Sequence, residues 1–475
     1  MQQYWNKTKV ICTIGPSCIK PGILKKMILS GMDVARFNFS HGAIEDHIST
    51  INTLKSIAEK LKSPVGILQD LPGPKIRIGL LSEDFIEIKK GQKFFLTTND
   101  IIGTQTGVSL NNPLFLNELS KNNIVYLNDG LVKLIVTAKN KNKIMCEVLI
   151  GGMIFPKKGV SCPDKVLSFP TVTDYDLKCL EFGVQSEVDF VAVSFVQRAE
   201  DILTVKKYLK KKGSFAFVIA KIERKVAFED IDRIIEVSDG VMVARGDLGI
   251  ETSLEDVPFL QKKIIGKCNK IGRPVITATQ MLESMVNNPQ PTRAEVTDIA
   301  NAIIDGTDAL MLSEETAVGR YPVKTLQVML NIAAKTEDEL KFFPKRITFS
   351  DAQIDHNLIG AFSQATVNVA NYTHAKVIVV PTDNQDSISW LSRLHPHSSI
   401  VAITTKENVF KKMILLWGVY PVMIDSFSDL GQTLSSCVRV VKSCGLACSK
   451  DKIVIMLTED NGLFASNIME VRTIS

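Results

Sequence analysis

Eight short apolar runs, each followed by a stretch of helical periodicity, constrain this chain more than any other feature. They are VICTIG (10–15), DVARFNF (33–39), PVGILQD (64–70), DFVAVSF (189–195), FAFVIAKI (215–222), GVMVAR (240–245), PVITAT (274–279) and DALMLS (308–313). Apolar runs without alternation suit strands covered on both faces, and helical connections suit parallel neighbours. Eight such units favour a closed (β/α)8 TIM barrel over an open sheet.

One connection breaks the rhythm. Between the third and fourth runs lie FIEIKK, KFFLTT, NIVYLN, LVKLIVTA and KIMCEVLI, punctuated by Gly, Asn and Lys. That pattern predicts a small inserted β domain, and because it follows a strand it belongs over the barrel's active face as a lid. Beyond about residue 345, KVIVV, SIVAIT, YPVMI, KIVIML and IMEVRTI alternate with helical stretches at 355–372, 385–394, 406–416 and 428–445. The chain thus divides into an α/β barrel (1–71 and 170–345), an inserted β lid (72–169) and a C-terminal α/β domain (346–475). Three domains are what 475 residues predict at roughly 150 per domain.

Composition mostly excludes. The 56 basic and 51 acidic residues leave +5, too little to argue for a nucleic-acid or membrane partner. Residues 1–10 hold no apolar segment suited to a signal peptide, and no run reaches the ~20 apolar residues of a membrane span. The nine scattered cysteines read as free thiols of a reducing compartment, so a cytoplasmic protein is expected.

Barrel chemistry belongs at the C-terminal ends of the strands. Those ends carry Arg36 and Asn38, then Ser40 and His41; Asp70; Ser194; Lys221 and Glu223; Arg245, Gly246 and Asp247; Thr279; and Ser313. Residues two apart in a strand share a side, so Lys221 and Glu223 face one space. Glu223 and Asp247, on adjacent strands, offer the hard oxygen ligands that suit Mg²⁺ or Mn²⁺. Lys221 beside them adds a point charge for a phosphate or enolate oxygen, and Arg36 and Arg77 can neutralise further phosphate oxygens. Thr279 moves a proton only if connected to other groups. A lone Lys-x-Glu is as readily a structural pair, and a lone threonine a backbone cap. Together on one face, these groups describe a metal-assisted reaction of a small phosphorylated acid.

The chain resembles pyruvate kinases over essentially its full length, through TKVICTIGPS (8–17), GMDVARFNFSHG (31–42), DLPGPKIRIG (70–79), KIE (221–223), SDGVMVARGDLGIE (238–251), TATQMLESM (277–285) and PTRAEVTDIANAIIDGTDALMLSEETAVGRYP (291–322). The resemblance implies transfer of a phosphoryl group from phosphoenolpyruvate to ADP, in glycolysis, by a homotetramer. It implies that Glu223 and Asp247 hold the divalent metal and that Lys221 stabilises the phosphoryl group in transit. Arg36, Gly246, Asp247 and Thr279 would contact phosphoenolpyruvate, with Lys221, Thr279 and Arg36 as the catalytic set. Asn38, Ser40, His41, Arg77 and the lid's Lys158 would serve the nucleotide, which carries a second metal.

Two departures from the family pattern carry expectations. Members that need a monovalent cation have Thr after the Asp of DLPGPKIRI and Glu before its Ile-Arg; here those places hold Leu71 and Lys75. With Asn38, Ser40 and Asp70 completing the site, the Lys75 ammonium is expected to replace K⁺. Members that bind sugar bisphosphates have a Thr/Ser-Gly-rich loop after the first strand of the last domain. Here PTDNQDS (381–387) carries two aspartates, and TEDNGLFASN (458–467) is also acidic, so no activation by fructose bisphosphate is expected. Arg224, Ser161 and Glu314 also stand where the family commonly has Asn, Asn and Gly.

Two rivals predict different sequences. A catalytically idle relative that binds phosphoenolpyruvate or nucleotide as a scaffold predicts loss of Lys221, Glu223, Asp247 or Thr279, and all are present. A metal-dependent aldolase or carboxyl-transfer enzyme on the same barrel has no need of the lid and Arg77.

Overall fold

The computed structural model describes residues 6–140, 142–163, 165–340, 358–427, 429–459 and 466–475. The eight apolar runs form β1 (Lys9–Thr13), β2 (Val34–Asn38), β3 (Gly66–Asp70), β4 (Phe190–Val193), β5 (Phe217–Ile222), β6 (Gly240–Ala244), β7 (Val275–Ala278) and β8 (Ala309–Leu312). All neighbours are parallel, and β8 pairs with β1, so the sheet closes. The strands are apolar throughout because both sides are covered. Cys12, Ala35, Ile67, Val191 and Val243 pack outward against the helices, while Ile11, Val34, Leu68, Ala192 and Met242 fill the interior.

The helices begin where their sequences supply the caps. Thr173 with Asp176, and Thr292 with Glu295, form reciprocal capping boxes at the starts of Asp174–Gln185 and Arg293–Asp305.

The insertion is a β domain with its own apolar core. Its six-stranded sheet runs in the order Val160–Ser161, Ile124–Leu127, Val132–Asn140, Lys143–Ile150, Lys93–Thr97, Gly107–Ser109, beside the pair Ile86–Ile88 and Gly152–Ile154. The five expected runs are all strands. The other three are too short to show an alternating pattern.

In the C-terminal unit, β9 (Val377–Pro381), β10 (Ser399–Thr404), β11 (Val419–Met423), β12 (Lys452–Leu457) and β13 (Ile468–Thr473) form one sheet in the order β11-β10-β9-β12-β13. Only the last pair is antiparallel. The four helices fall on the expected stretches, at Leu358–Thr373, Gln385–Ser392, Glu407–Met413 and Leu430–Ser443. The expected boundary near 345 and most of the acidic loop at 458–467 lie outside the described residues.

The N-terminal end of the barrel is finished by a repeat. Asp33, Asp189, Asp239 and Asp308 each immediately precede an even-numbered strand. Their carboxylates accept the amide N–H of Val10, Ile67, Val218 and Val275 on the odd-numbered neighbours, at 2.8, 2.7, 2.9 and 2.8 Å. Asp33, Asp189 and Asp308 also accept, through their carbonyls, the N–H of Gly66, Phe217 and Lys9. The fourth equivalent place is Pro274, which has no N–H to satisfy.

The C-terminal unit seals this same end. Ile414 and Leu415 join the apolar cluster of the barrel interior. Lys9 at the start of β1 donates to the Val419 carbonyl at 2.8 Å and lies over the Tyr420 ring.

All nine cysteines are free, seven of them buried. Among the described residues no helix is long and apolar enough to cross a membrane.

Candidate active site

The inward-facing register that fills the interior with apolar side chains continues, two residues at a time, into charged ones. Ile11 leads to Thr13, Val34 to Arg36 and Asn38, Leu68 to Asp70, Ala192 to Ser194, and Ile219 to Lys221 and Glu223. A site at the strand ends is therefore the last layer of the barrel core.

Asp70 is its hub. The carboxylate is 1% exposed and accepts from Arg36 Nε at 2.7 Å, from Lys221 Nζ at 3.1 Å and from Ser194 Oγ at 3.3 Å. Arg36 also donates from Nη1 to Thr13 Oγ1 at 2.8 Å, and Thr13 passes its own proton to the Leu312 carbonyl. Lys221 donates to Ser194 Oγ at 2.7 Å and pairs with Glu223 Oε1 at 2.9 Å. The second oxygen of Glu223 accepts the amide of Phe195 at 2.8 Å. Lys221 and Glu223 do face one space.

Burial pushes the Asp70 carboxyl up, but Lys221 and Arg36 outweigh it and hold Asp70 below the usual carboxylate range. Burial pulls Lys221 down; Asp70 and Glu223 outweigh that and keep the ammonium protonated well above the ordinary lysine range. Glu223 lies above the usual range, first through burial and then through Asp247, whose charge overrides part of the relief from Lys221.

Asp247 has no hydrogen-bond or ion-pair partner among the described residues, although its charge reaches Glu223. Among the described residues no group of three or more His, Cys, Asp or Glu is arranged to hold a metal. The donor set is thus two carboxylates, one of which raises the proton affinity of the other. A dication relieves that repulsion and completes its shell with water and substrate oxygens, so the residues fit Mg²⁺ or Mn²⁺.

Thr279 follows β7 with φ 67°, and Gln280 follows it at φ 53°, so two successive non-glycine residues lie in the left-handed region. Each such residue costs about 1–3 kcal/mol unless held by its surroundings. Thr279 Oγ1 donates to the Ala278 carbonyl at 2.6 Å and accepts the Gly246 amide at 2.8 Å. These partners are both backbone, so no side-chain proton relay leaves Thr279 among the described residues. A Cβ on Gly246 would lie nearest to Thr279, 3.6 Å from its Oγ1.

The mouth of the site is cationic. Burial and the nearby Arg77, Lys75 and Arg36 hold His41 below the ordinary histidine value. Asn38 Oδ1 accepts the Ser40 amide at 3.1 Å, and Arg77 donates to the Lys157 carbonyl at 2.8 Å. Lys158 is bound within the lid, to Asp129 at 2.8 Å. Leu71 is buried in the core outside the barrel, and Lys75 is half-buried at the lid's base. A cleft separates lid from barrel, with Lys75, Tyr126 and Asp129 on one side and Phe195, Arg224 and Asp247 on the other.

Thr13 escaped the sequence reading as a member of the cluster, and Ser194 was read only as a strand end. Both lie in register with residues that were identified, so strand parity is the signal that finds them. Arg224 is not a loose oddity. It donates to the carbonyls of Cys162 and Lys165 at 3.2 and 2.8 Å and to Gln197 at 3.1 Å, stapling the lid's return segment beside Glu223.

Comparison with known proteins agrees with this fold. Residues 5–326 match the family model described as pyruvate kinase, barrel domain, and residues 360–472 match pyruvate kinase, alpha/beta domain. A pyruvate kinase from Thermococcus litoralis is 40% identical over 467 residues, covering 96% of this chain and 95% of the relative. One from Staphylococcus epidermidis is 38% identical over 451 residues, covering 94% of this chain and 77% of the relative. The crystal structure of a pyruvate kinase from Cryptosporidium parvum superposes with a TM-score of 0.89 at 32% identity, covering 99% of this chain and 97% of that one.

Proposed function

The chain belongs to the pyruvate kinase family and is a phosphotransferase, and from that premise we propose how its residues carry the reaction. Phosphoenolpyruvate and ADP are the substrates, and the phosphoryl group passes between them to give pyruvate and ATP. The observation that carries the reading is the buried Arg36–Asp70–Lys221–Glu223 chain of charges, ending beside Asp247, which has no partner among the described residues.

Glu223 and Asp247 would hold a divalent cation, with Mg²⁺ as the physiological ion. When bound it supplies positive charge against substrate oxygens. Lys221, locked as an ammonium by Asp70 and Glu223, presents a fixed charge to the phosphoryl group in transit, with no reorganisation needed at the moment of transfer. Arg36 spends two donors on Asp70 and Thr13, and its remaining nitrogen, without a partner among the described residues, is available to a phosphate oxygen. Gly246 and Thr279 form a wall that leaves room for the substrate where a Cβ would stand. The cationic mouth of Arg77 and Lys75, with His41, Asn38 and Ser40, receives the nucleotide, and Lys158 joins it from the lid. Water is excluded as the lid meets the barrel.

K⁺ is not required in this proposal, because Lys75 supplies its charge; a buried leucine at 71 offers no side-chain ligand to a cation. Fructose bisphosphate does not activate. Asp383 in the candidate phosphate loop is fully engaged, accepting from Thr404 Oγ1 at 2.8 Å and from the Thr405 amide and hydroxyl at 2.8 and 2.6 Å, and Asn384 caps the helix that follows. The division at residues 71/72, 169/170 and 345/346, the homotetramer and the cytoplasmic location complete the proposal, supported by the family resemblance.

One assay tests the core of it. ATP formation from phosphoenolpyruvate and ADP is measured with Mg²⁺, in buffer free of K⁺ and Na⁺ and then with K⁺ added. Full activity without K⁺ is expected. A many-fold rise on adding K⁺ overturns the role of Lys75, and no ATP under any condition overturns the enzyme reading. Light scattering checks the tetramer.

A further inference from the structure

Arg245 follows β6 and is one of the most fully engaged side chains near the site. It is 8% exposed. Its Nη2 donates to the Thr279 carbonyl at 2.6 Å and to the Gln280 carbonyl at 3.2 Å, and its Nε reaches Thr279 again at 3.2 Å. Nη1 pairs with Asp298 at 2.6 Å, which fixes the guanidinium plane from the far side. The two residues whose carbonyls it binds are the two held at positive φ.

We propose that Arg245 is a positioning residue for the phosphoryl transfer: it clamps the left-handed turn at Thr279–Gln280 and so aims the Thr279 hydroxyl across the site. The inference rests on the reading of Thr279 as a substrate contact. Without a cation on those carbonyls the turn relaxes to ordinary backbone angles, and Oγ1 swings away from the Gly246 amide that now meets it at 2.8 Å. Arg245 and Gly246 are adjacent, so consecutive residues grip Thr279 from two directions, the side chain on its carbonyl and the amide on its hydroxyl. A planar guanidinium spans two carbonyls and a carboxylate at once; a lysine ammonium in its place has the charge but not the fork.

A double-mutant cycle tests this in the full-length enzyme, with Arg245→Gln, Thr279→Val and the double variant, reading kcat, the KM for each substrate and melting temperature. Arg245→Gln is expected to lower kcat about 100-fold, the scale of a small displacement in an active site, while leaving the KM for ADP unchanged. The double variant is expected to lose no more than Thr279→Val alone. Losses that multiply in the double variant overturn the positioning role, as does unchanged kcat in Arg245→Gln. Unchanged kcat in Thr279→Val instead overturns the assignment of Thr279, and the inference falls with it. Should Arg245→Gln fail to fold, Asp298→Ala carries the same cycle. It leaves the cation on the carbonyls but frees its plane, and a smaller kcat loss that vanishes in the Thr279→Val background is expected. A loss that persists there refutes the proposal.

Discussion

At the N-terminal end of the barrel four aspartates make one hydrogen bond four times over, each from the start of an even strand to the second or first amide of its odd neighbour. At the C-terminal end no single group repeats in that way: Thr13, Arg36, Asp70, Ser194 and Lys221 follow one another on or just after β1 to β5, and Thr279 follows β7. Both ends stand on the same strands and bury charge, the Asp70 and Glu223 carboxylates more completely than those of Asp33 and Asp239. At the first, each carboxylate meets a backbone N–H that every strand must satisfy somewhere, so a single solution repeats. At the second, side chains meet each other, with Asp70 serving two cations and Asp247 left without a partner among the described residues. Regularity marks the end that holds the sheet together, and irregularity marks the end where a substrate has to be fitted.

Substitutions that keep shape can break or sharpen that contrast. The largest effect is expected from Glu223→Gln, which keeps the Phe195 bond but removes a charge: kcat should fall about 100–1,000-fold with little change in melting temperature. A large loss of stability with activity preserved would erase the contrast.

A pH titration probes the other end. Burial raises the Asp189 carboxyl to about 6, against the relief from the Ile67 amide and Lys411. The folded protein therefore binds a proton more tightly there than the unfolded chain does. The stability this contributes is fully present below about pH 4 and lost as pH rises through 6. Asp189→Asn keeps an acceptor for Ile67 and removes the titration. Denaturation of both proteins between pH 4 and 7 should show the wild type losing up to about 3 kcal/mol relative to the variant. Parallel curves would refute it.

Smaller still, Asp308→Ala orphans the buried amide of Val275 and should cost about 1–3 kcal/mol in urea unfolding while leaving kcat within twofold or so of wild type. A matching collapse of kcat would mean that the two ends are not independent.

Much of this was legible in the sequence. The eight strands announced themselves because a strand covered on both sides has no polar positions to spare. Lys221 and Glu223 were placed together by strand periodicity alone. The centrality of Asp70 was not legible, since it depends on the side chains of β2, β4 and β5 converging on β3 from several strands. The clamp of Arg245 was hidden for a different reason: its partners are carbonyl oxygens, which every residue has and no sequence advertises. The short lid strands at Gly107–Ser109 and Gly152–Ile154 hold too few residues for any period to show.

Ile414 and Leu415 lie some seventy residues past the last helix of the barrel, Pro322–Glu339, yet they cork its open end. On a ribosome adding roughly 5–20 residues each second, the cylinder would stand finished in outline but unstoppered for several seconds before its plug emerged. A chain released near residue 340 should accordingly bind a hydrophobic dye that the complete protein excludes. The last domain to be made is, in this respect, the closing piece of the first.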